Sequence, residues 1–257
     1  MHNKTKKNLC YLIIFTSSLL MVVYILRSKN PVADINKRGS KGWLPIEYAV
    51  HRRDVKEINT LLGLGAKPES AMKYALEEET TEILRLLLQH STLPNSKPVV
   101  DAMCKAVQLG KVTAIKLFLQ KGTQPCSLNS LGDTPLKCAV WGDQLKIFRQ
   151  LITLCPQSKY QLENLLSDSI QSNANSIMQE ILQSKKIDIN WQDKSGKTFL
   201  MHSVISKNAE GLRILLLYKP QIKLKDKSGR SVIDWAIELN EQETLNIIKN
   251  LFVSQNP

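Results

Sequence analysis

The chain has 257 residues, 43% of them apolar, and its 35 Lys and Arg against 23 Asp and Glu give a net charge of +12. That apolar share is enough to build a core and excludes an intrinsically disordered protein. Lys4, Lys6, Lys7, Arg27 and Lys29 flank the first apolar run with no acid among them; the remaining excess is scattered, which argues for a like-charged surface and against a nucleic-acid site.

The first predicted element is NLCYLIIFTSSLLMVVYIL, residues 8–26, which is 19 residues without a charge. As a helix it is about 28 Å long, enough to cross the hydrocarbon core of a bilayer. A cleaved signal has a shorter apolar core and small residues at its cleavage site, yet here Pro31 stands where a small residue should precede Ala33. Cys10 opens the apolar run instead of ending it, unlike the cysteine of a lipoprotein. Residues 1–29 are therefore expected to be an uncleaved signal anchor in preference to a removed signal peptide, with residues 30–257 as the folded domain. Orientation has two indications. Arg27, Lys29, Lys37, Arg38 and Lys41 outnumber the three lysines before the span, which by count keeps the domain in the cytoplasm. A short basic start running straight into an apolar segment resembles a secretion signal, and the reading adopted is export: an inner-membrane anchor with the domain in the periplasm.

From residue 35 the chain repeats itself. GWLPIEYA (42–49) is followed by LLGLGA (61–66); SAMKYA (70–75), GDTPLKCA (132–139) and NLLSDS (164–169) follow, and DKSG occurs at 193–196 and again at 226–229. With the small residue closing each first motif as position zero, apolar residues return at +9, +12 and +13. From Ala49 they are Ile58, Leu61 and Leu62; from Ala75, Leu84, Leu87 and Leu88; from Ala106, Ile115, Phe118 and Leu119; from Ala139, Phe148, Leu151 and Ile152. From Ser169 they are Met178, Ile181 and Leu182, and from Ser203, Leu212, Leu215 and Leu216. The copy from Ala236 gives Leu245 and Ile248, then turns polar at Lys249, as a terminal copy must when nothing stacks on it. The intervals between zero positions are 26, 31, 33, 30, 34 and 33.

This spacing predicts an all-α fold of about seven helix-turn-helix units, preceded by the one hydrophobic segment. Thr134 with Pro135, or Thr198, starts a first helix with a hydroxyl free to cap it. Gly132, Gly196 and Gly229 supply the backbone freedom of the connecting finger. The 26-residue interval predicts a shortened finger between the first two units, and the copies at 70–75 and 164–169 lack the turn motif. GDTPLKCA and LLGLGA resemble the ankyrin patterns G-x-T-P-L-H-x-A and L-L-x-x-G-A, and the resemblance covers roughly residues 35–252. It implies a solenoid that binds another protein on a concave, finger-lined face.

Chemistry is hard to find in the rest. DKSGKT (193–198) ends like a phosphate-binding loop, but such a loop needs Gly five residues before Gly196, where Trp191 stands, and the same turn returns 33 residues later. Lys197 is then a fingertip side chain. His2, His51, His90 and His202 form no metal motif, and no G-x-S-x-G turn is present. His202 beside Ser203 fills helix positions. Neither an enzyme nor a cofactor or metal site is expected. Apart from Cys10, the cysteines Cys104, Cys126, Cys138 and Cys155 could pair in three ways if exported, although Cys104 and Cys138 read better as small core residues.

What remains is surface. The fingers offer Lys41, Trp43, Leu131, Asp133, Lys194, Lys197, Lys227 and Arg230, and the ends of first helices offer His51, Arg52, Gln108, Trp141 and Ile205. These are the partner-binding candidates, Trp43 and Trp141 foremost, because exposed aromatics commonly dominate binding energy; either Trp could instead cover a neighbouring repeat. In layout, a membrane-directing segment followed by repeats is similar to bacterial ankyrin immunity proteins that neutralise secreted toxins, including type VI phospholipase effectors. That resemblance implies occlusion of a toxin's active site, with Lys194, Lys197, Lys227 and Arg230 facing an acidic patch. A membrane-anchored scaffold positioning an envelope enzyme is the alternative.

Overall fold

The computed structural model describes residues 35–40, 42–77, 81–157 and 159–255. Among them are fourteen α-helices in seven pairs, and no strand. The pairs are α1 (Pro45–His51) with α2 (Val55–Gly63), α3 (Met72–Glu77) with α4 (Thr81–His90), and α5 (Lys97–Gln108) with α6 (Val112–Lys121). They continue as α7 (Pro135–Trp141) with α8 (Leu145–Leu154), α9 (Lys159–Gln171) with α10 (Asn175–Gln183), α11 (Phe199–Ile205) with α12 (Ala209–Leu216), and α13 (Val232–Glu238) with α14 (Gln242–Gln255). No described helix is long and apolar enough to cross a membrane; residues 8–26, expected to do so, lie outside the described residues.

The zero positions are where each pair closes. Ala49, Ala75, Ala106, Ala139, Ser169, Ser203 and Ala236 are all buried, none more than 2% exposed. In six of the seven pairs the carbonyl at position zero accepts the N–H of the residue at +5, as in Asp54 to Ala49, Gln144 to Ala139 and Asn208 to Ser203. The residue at +4 reverses the chain in the left-handed region: Arg53, Gly110, Asp143, Asn173, Lys207 and Asn240 have φ between +48° and +68°. Side chains other than Gly and Asn are strained there, and the hydrogen-bonded turn holds them. Ser stands in for Ala at two zero positions because its hydroxyl is satisfied locally: Ser169 Oγ donates to the Leu166 carbonyl and Ser203 Oγ to that of Leu200, both at 2.7 Å.

The hydroxyl caps expected at the first helices are formed. Thr134 Oγ1 accepts the Lys137 N–H at 3.2 Å, Thr198 Oγ1 that of Met201 at 3.3 Å, and Ser231 Oγ that of Asp234 at 3.3 Å. Between the first two pairs a 3-10 turn, Pro68–Ala71, leads directly into α3, so the short interval is met by omitting the finger. In the fifth pair α9 runs for 13 residues, against seven in α7, α11 and α13.

Two compact units divide the chain. Of the described residues, one comprises those from 35 to 106 and Lys111–Asp133; the other comprises Val107–Gly110 and those from 134 to 255. In the first unit α1 contacts α3, and α4 contacts α6. In the second, first helices stack in the order α7, α9, α11, α13, and second helices in the order α8, α10, α12, α14. The +9 and +12 residues fill these stacks: Phe118 is fully buried, and Phe148, Leu151, Met178, Leu212 and Leu215 are at most 1% exposed. Cys104 and Cys138 are buried among them, as small core residues. Ile248 of the last pair is buried and Lys249 is exposed.

Candidate protein-binding surface

Three fingers share one turn. Asp193 Oδ1 accepts the N–H groups of Ser195 and Lys197, Asp226 Oδ1 those of Ser228 and Arg230, and Asn129 Oδ1 those of Leu131 and Asp133, at 2.8–3.0 Å. In each, the glycine three residues on donates back to the carbonyl of the Asp or Asn, and the backbone closes across the finger base. DKSG is therefore a hairpin tip whose carboxylate replaces backbone partners, an Asx turn. Asn129 went unremarked in the sequence, although NSLG aligns with DKSG letter for letter in role. Neighbouring fingers in the second unit are joined as well: Lys227 N–H donates to the Ser195 carbonyl at 2.9 Å, and Gln192 Nε2 to that of Lys225 at 2.9 Å.

Of the candidates in the first unit, Trp43 is half-buried and stacks on Tyr74 of α3, with ring centroids 4.8 Å apart, while His51 meets its edge at 5.2 Å. Trp43 thus covers the neighbouring helix pair, and Tyr74 is a site neighbour that position alone had not singled out. Arg52 is exposed, Leu131 is 84% exposed at its fingertip, and Asp133 closes that finger with its backbone. Lys41 lies outside the described residues.

In the second unit Trp141 ends α7 with 57% of its surface exposed, and Lys137 Nζ lies 5.4 Å from its ring. Lys137 also pairs with Asp168 at 3.6 Å, so the cation that braces the indole is itself anchored. Gln108 is exposed at the end of α5, beside Gly142, where an added Cβ would lie 2.9 Å from the Gln108 backbone. Ile205 is half-buried. The four basic fingertip residues separate into two kinds. Lys194 and Lys227 are exposed. Lys197 and Arg230 instead meet on Trp235 of α13, at 5.2 and 3.7 Å from its ring centre, and Arg230 also pairs with Glu238 at 2.9 Å and Asp226 at 3.5 Å. Trp235 is thus an organising residue that the sequence reading passed over, although it precedes a zero position just as His202 does.

That parallel defines the electrostatics. Trp235 Nε1 donates to Asp226 Oδ2 at 3.0 Å, and His202 Nε2 lies 3.1 Å from Asp193 Oδ2. Burial alone would raise both carboxyls, but for Asp193 the N–H groups of Lys197 and Ser195 and the Ser195 hydroxyl outweigh it, and for Asp226 the Arg230 N–H and the Trp235 indole do, so both lie below the usual aspartate value. For His202, burial outweighs the pull of Asp193, and its pKa falls below 6.5. The imidazole is then neutral near pH 7 and donates Nε2–H to the carboxylate.

A pH dependence follows from the sign of that shift. Because the unfolded chain binds the proton more readily, the contribution of His202 to stability is complete above pH 6.5 and is lost as the pH falls through the lower folded-state value. Melting temperature measured from about pH 7.5 down to about pH 5 should fall more steeply for the native chain than for His202→Gln, which keeps a donor without titrating. Parallel curves would show that His202 is not depressed.

Among the described residues no cluster of three or more His, Cys, Asp or Glu could hold a metal ion. Lys197, the residue at the place of a phosphate-loop lysine, lies over the Trp235 ring at 5.2 Å.

Comparison with known proteins agrees with this construction. A family model for ankyrin repeats (3 copies) matches residues 166–256, and a second, for ankyrin repeats (many copies), matches residues 103–152. A human protein, transient receptor potential cation channel subfamily A member 1, is 27% identical over 140 residues, which are 51% of this chain and 12% of that protein. The chain thus spans only a small part of that relative. With paired helices, Asx-turn fingers and these two matches, the chain carries ankyrin repeats over residues 103–152 and 166–256.

Proposed function

We propose that this protein is a non-enzymatic binding module, held at a membrane by residues 8–26, that neutralises a secreted antibacterial toxin such as a phospholipase effector by covering its active site. Ankyrin repeats indicate protein–protein interaction, and the observation that carries a gripping surface is Trp141. A large aromatic side chain left 57% exposed, yet braced by an anchored lysine, loses little freedom on binding and removes much apolar area from water. The neutralising role is supported by layout, an uncharged 19-residue run ahead of a repeat domain that offers no catalytic motif. Periplasmic placement of the domain belongs to the same proposal.

The test is to purify the tagged full chain from its native cells and assay the protein that accompanies it. The expected result is a bound enzyme that is inactive in the complex and regains activity with Trp141→Ala, which should weaken binding by about thirtyfold. A partner that remains fully active in the complex overturns neutralisation and favours an anchored scaffold that positions an envelope enzyme. A partner whose affinity is indifferent to Trp141→Ala removes that residue from the interface.

A further inference from the structure

A groove of about 410 Å³ opens in the first unit, lined by Arg38, Glu47, Glu69, Lys73, Asp101 and Lys105 among others. By formal charge these six cancel, but they are not equally available. Glu47, 1% exposed, accepts from Arg38 at 3.0 Å and from the Leu44 N–H at 2.9 Å. Glu69 accepts the Ser91 hydroxyl at 2.7 Å, and Asp101 accepts the Ser130 N–H at 2.9 Å and its hydroxyl. Every carboxylate of the groove therefore serves the chain's own structure.

The two lysines are placed differently. Among the described residues neither Lys73 nor Lys105 has a carboxylate within ion-pair distance. Lys73 is exposed, and its ammonium lies over the Tyr74 ring at 4.8 Å, beside the Trp43–Tyr74 stack, so an aromatic wall holds the cation without consuming its N–H donors. Lys105 is half-buried on α5, where partial desolvation strengthens its attraction to a negative group.

We infer that this groove seats an acidic side chain or short acidic segment of the protein partner, with Lys73 and Lys105 as its ligands. The inference rests on the protein-binding reading above and gives that partner a chemistry. It favours a carboxylate-bearing peptide over nucleic acid. A phosphate backbone carries evenly repeated charge and needs a positive field along its length, whereas the three wall carboxylates here leave only two discrete ammonium positions. It also adds a site in the first unit to the attraction expected of the fingers, where Arg230 is already paired with Glu238 and Asp226.

The experiment is fluorescence anisotropy of a labelled hexaglutamate peptide against the full chain. Saturable binding is expected, weakened about tenfold by Lys73→Glu with Lys105→Glu and less than about twofold by Lys56→Glu with Lys116→Glu, which are exposed on second helices of the same unit and change net charge equally. Lys73→Gln with Lys105→Gln, which adds no acid, should weaken it in the same direction with an unchanged melting temperature. Equal losses from both glutamate pairs would reduce the effect to overall charge, and absence of saturation would remove the site; either overturns the inference. Tighter binding of an octathymidylate through the same lysines overturns it in favour of a phosphate site. If the native partner is retained by the groove variants and lost with Trp141→Ala, the inference fails while the binding reading stands.

Discussion

Gly196→Ala is expected to lower the unfolding free energy by about 2–4 kcal/mol, and Gly229→Ala by about 1 kcal/mol. The two glycines occupy the same place in the same finger turn, with φ of +81° and +80°. Both variants carry the cost of placing an alanine in the left-handed region, about 1 kcal/mol. Only Gly196 faces a neighbour: a Cβ there would lie 2.9 Å from Lys227 N and 3.1 Å from Asp226 Cα, while nothing lies within 4 Å of the Gly229 position. Those neighbours are backbone, held by the bond from Lys227 N–H to the Ser195 carbonyl and by the hydrogen bonds around Asp226. They cannot move aside as a flexible side chain would, so the added carbon breaks the ladder between fingers or stays in overlap. Urea denaturation of both variants measures the difference, and equal losses would mean that the fingers are not in contact as described.

The same glycines show how far the sequence could be read. Period and polarity determine where helices lie and which faces are buried, because each zero position and its +9, +12 and +13 partners recur along the chain. That is why Ala49, Ser169 and Ser203 are recognisable from the pattern as the small residues that close their first helices. The turn letters of DKSG also identified fingers. What a single repeat cannot state is which of two identical turns has another stacked against it, since that depends on the next copy. The surface was less legible for a related reason. A tryptophan at a fingertip reads as exposed, but Trp43 stacks on Tyr74 of the following pair and Lys197 lies over Trp235 of the following copy, both contacts between copies, while Arg230 meets Trp235 within its own copy. Trp141 stayed exposed where expected. The asparagines that tie loops together, Asn95 to Gln124 N–H at 2.8 Å and Asn190 to Gln221 N–H at 2.7 Å, are unremarkable in the sequence because their partners lie about one repeat away.

Asn208→Ala should cost about 3 kcal/mol, and Gly211→Ala a similar amount, yet the two together should cost less than either alone, about 2 kcal/mol. Asn208 is 4% exposed, and its carboxamide is fully used. Oδ1 accepts the Gly211 N–H at 2.7 Å and caps α12, while Nδ2 donates to the Ile170 carbonyl at 3.0 Å and to Asn175 Oδ1 at 2.9 Å, tying the sixth helix pair to the fifth. Removing it deprives a helix of its cap, leaves the buried Gly211 N–H without that partner, and leaves the Ile170 carbonyl with only the long bond from the Asn173 N–H at 3.3 Å. Gly211 looks like a weak residue for a helix, and its φ is not in the left-handed region that would demand glycine. Its reason is space: a Cβ there would lie 2.6 Å from Asn208 Cγ and 2.8 Å from Oδ1. Alanine at 211 therefore expels the carboxamide and forfeits the same three hydrogen bonds. Once Asn208 is alanine, that space is empty, and Gly211→Ala regains the helix propensity that glycine lacks, about 1 kcal/mol. In the Asn208→Ala background the second substitution should thus raise the melting temperature that it lowers in the native chain. Additive losses in the double variant would show that Gly211 and Asn208 act independently, and that this carboxamide does not hold the two helix pairs together.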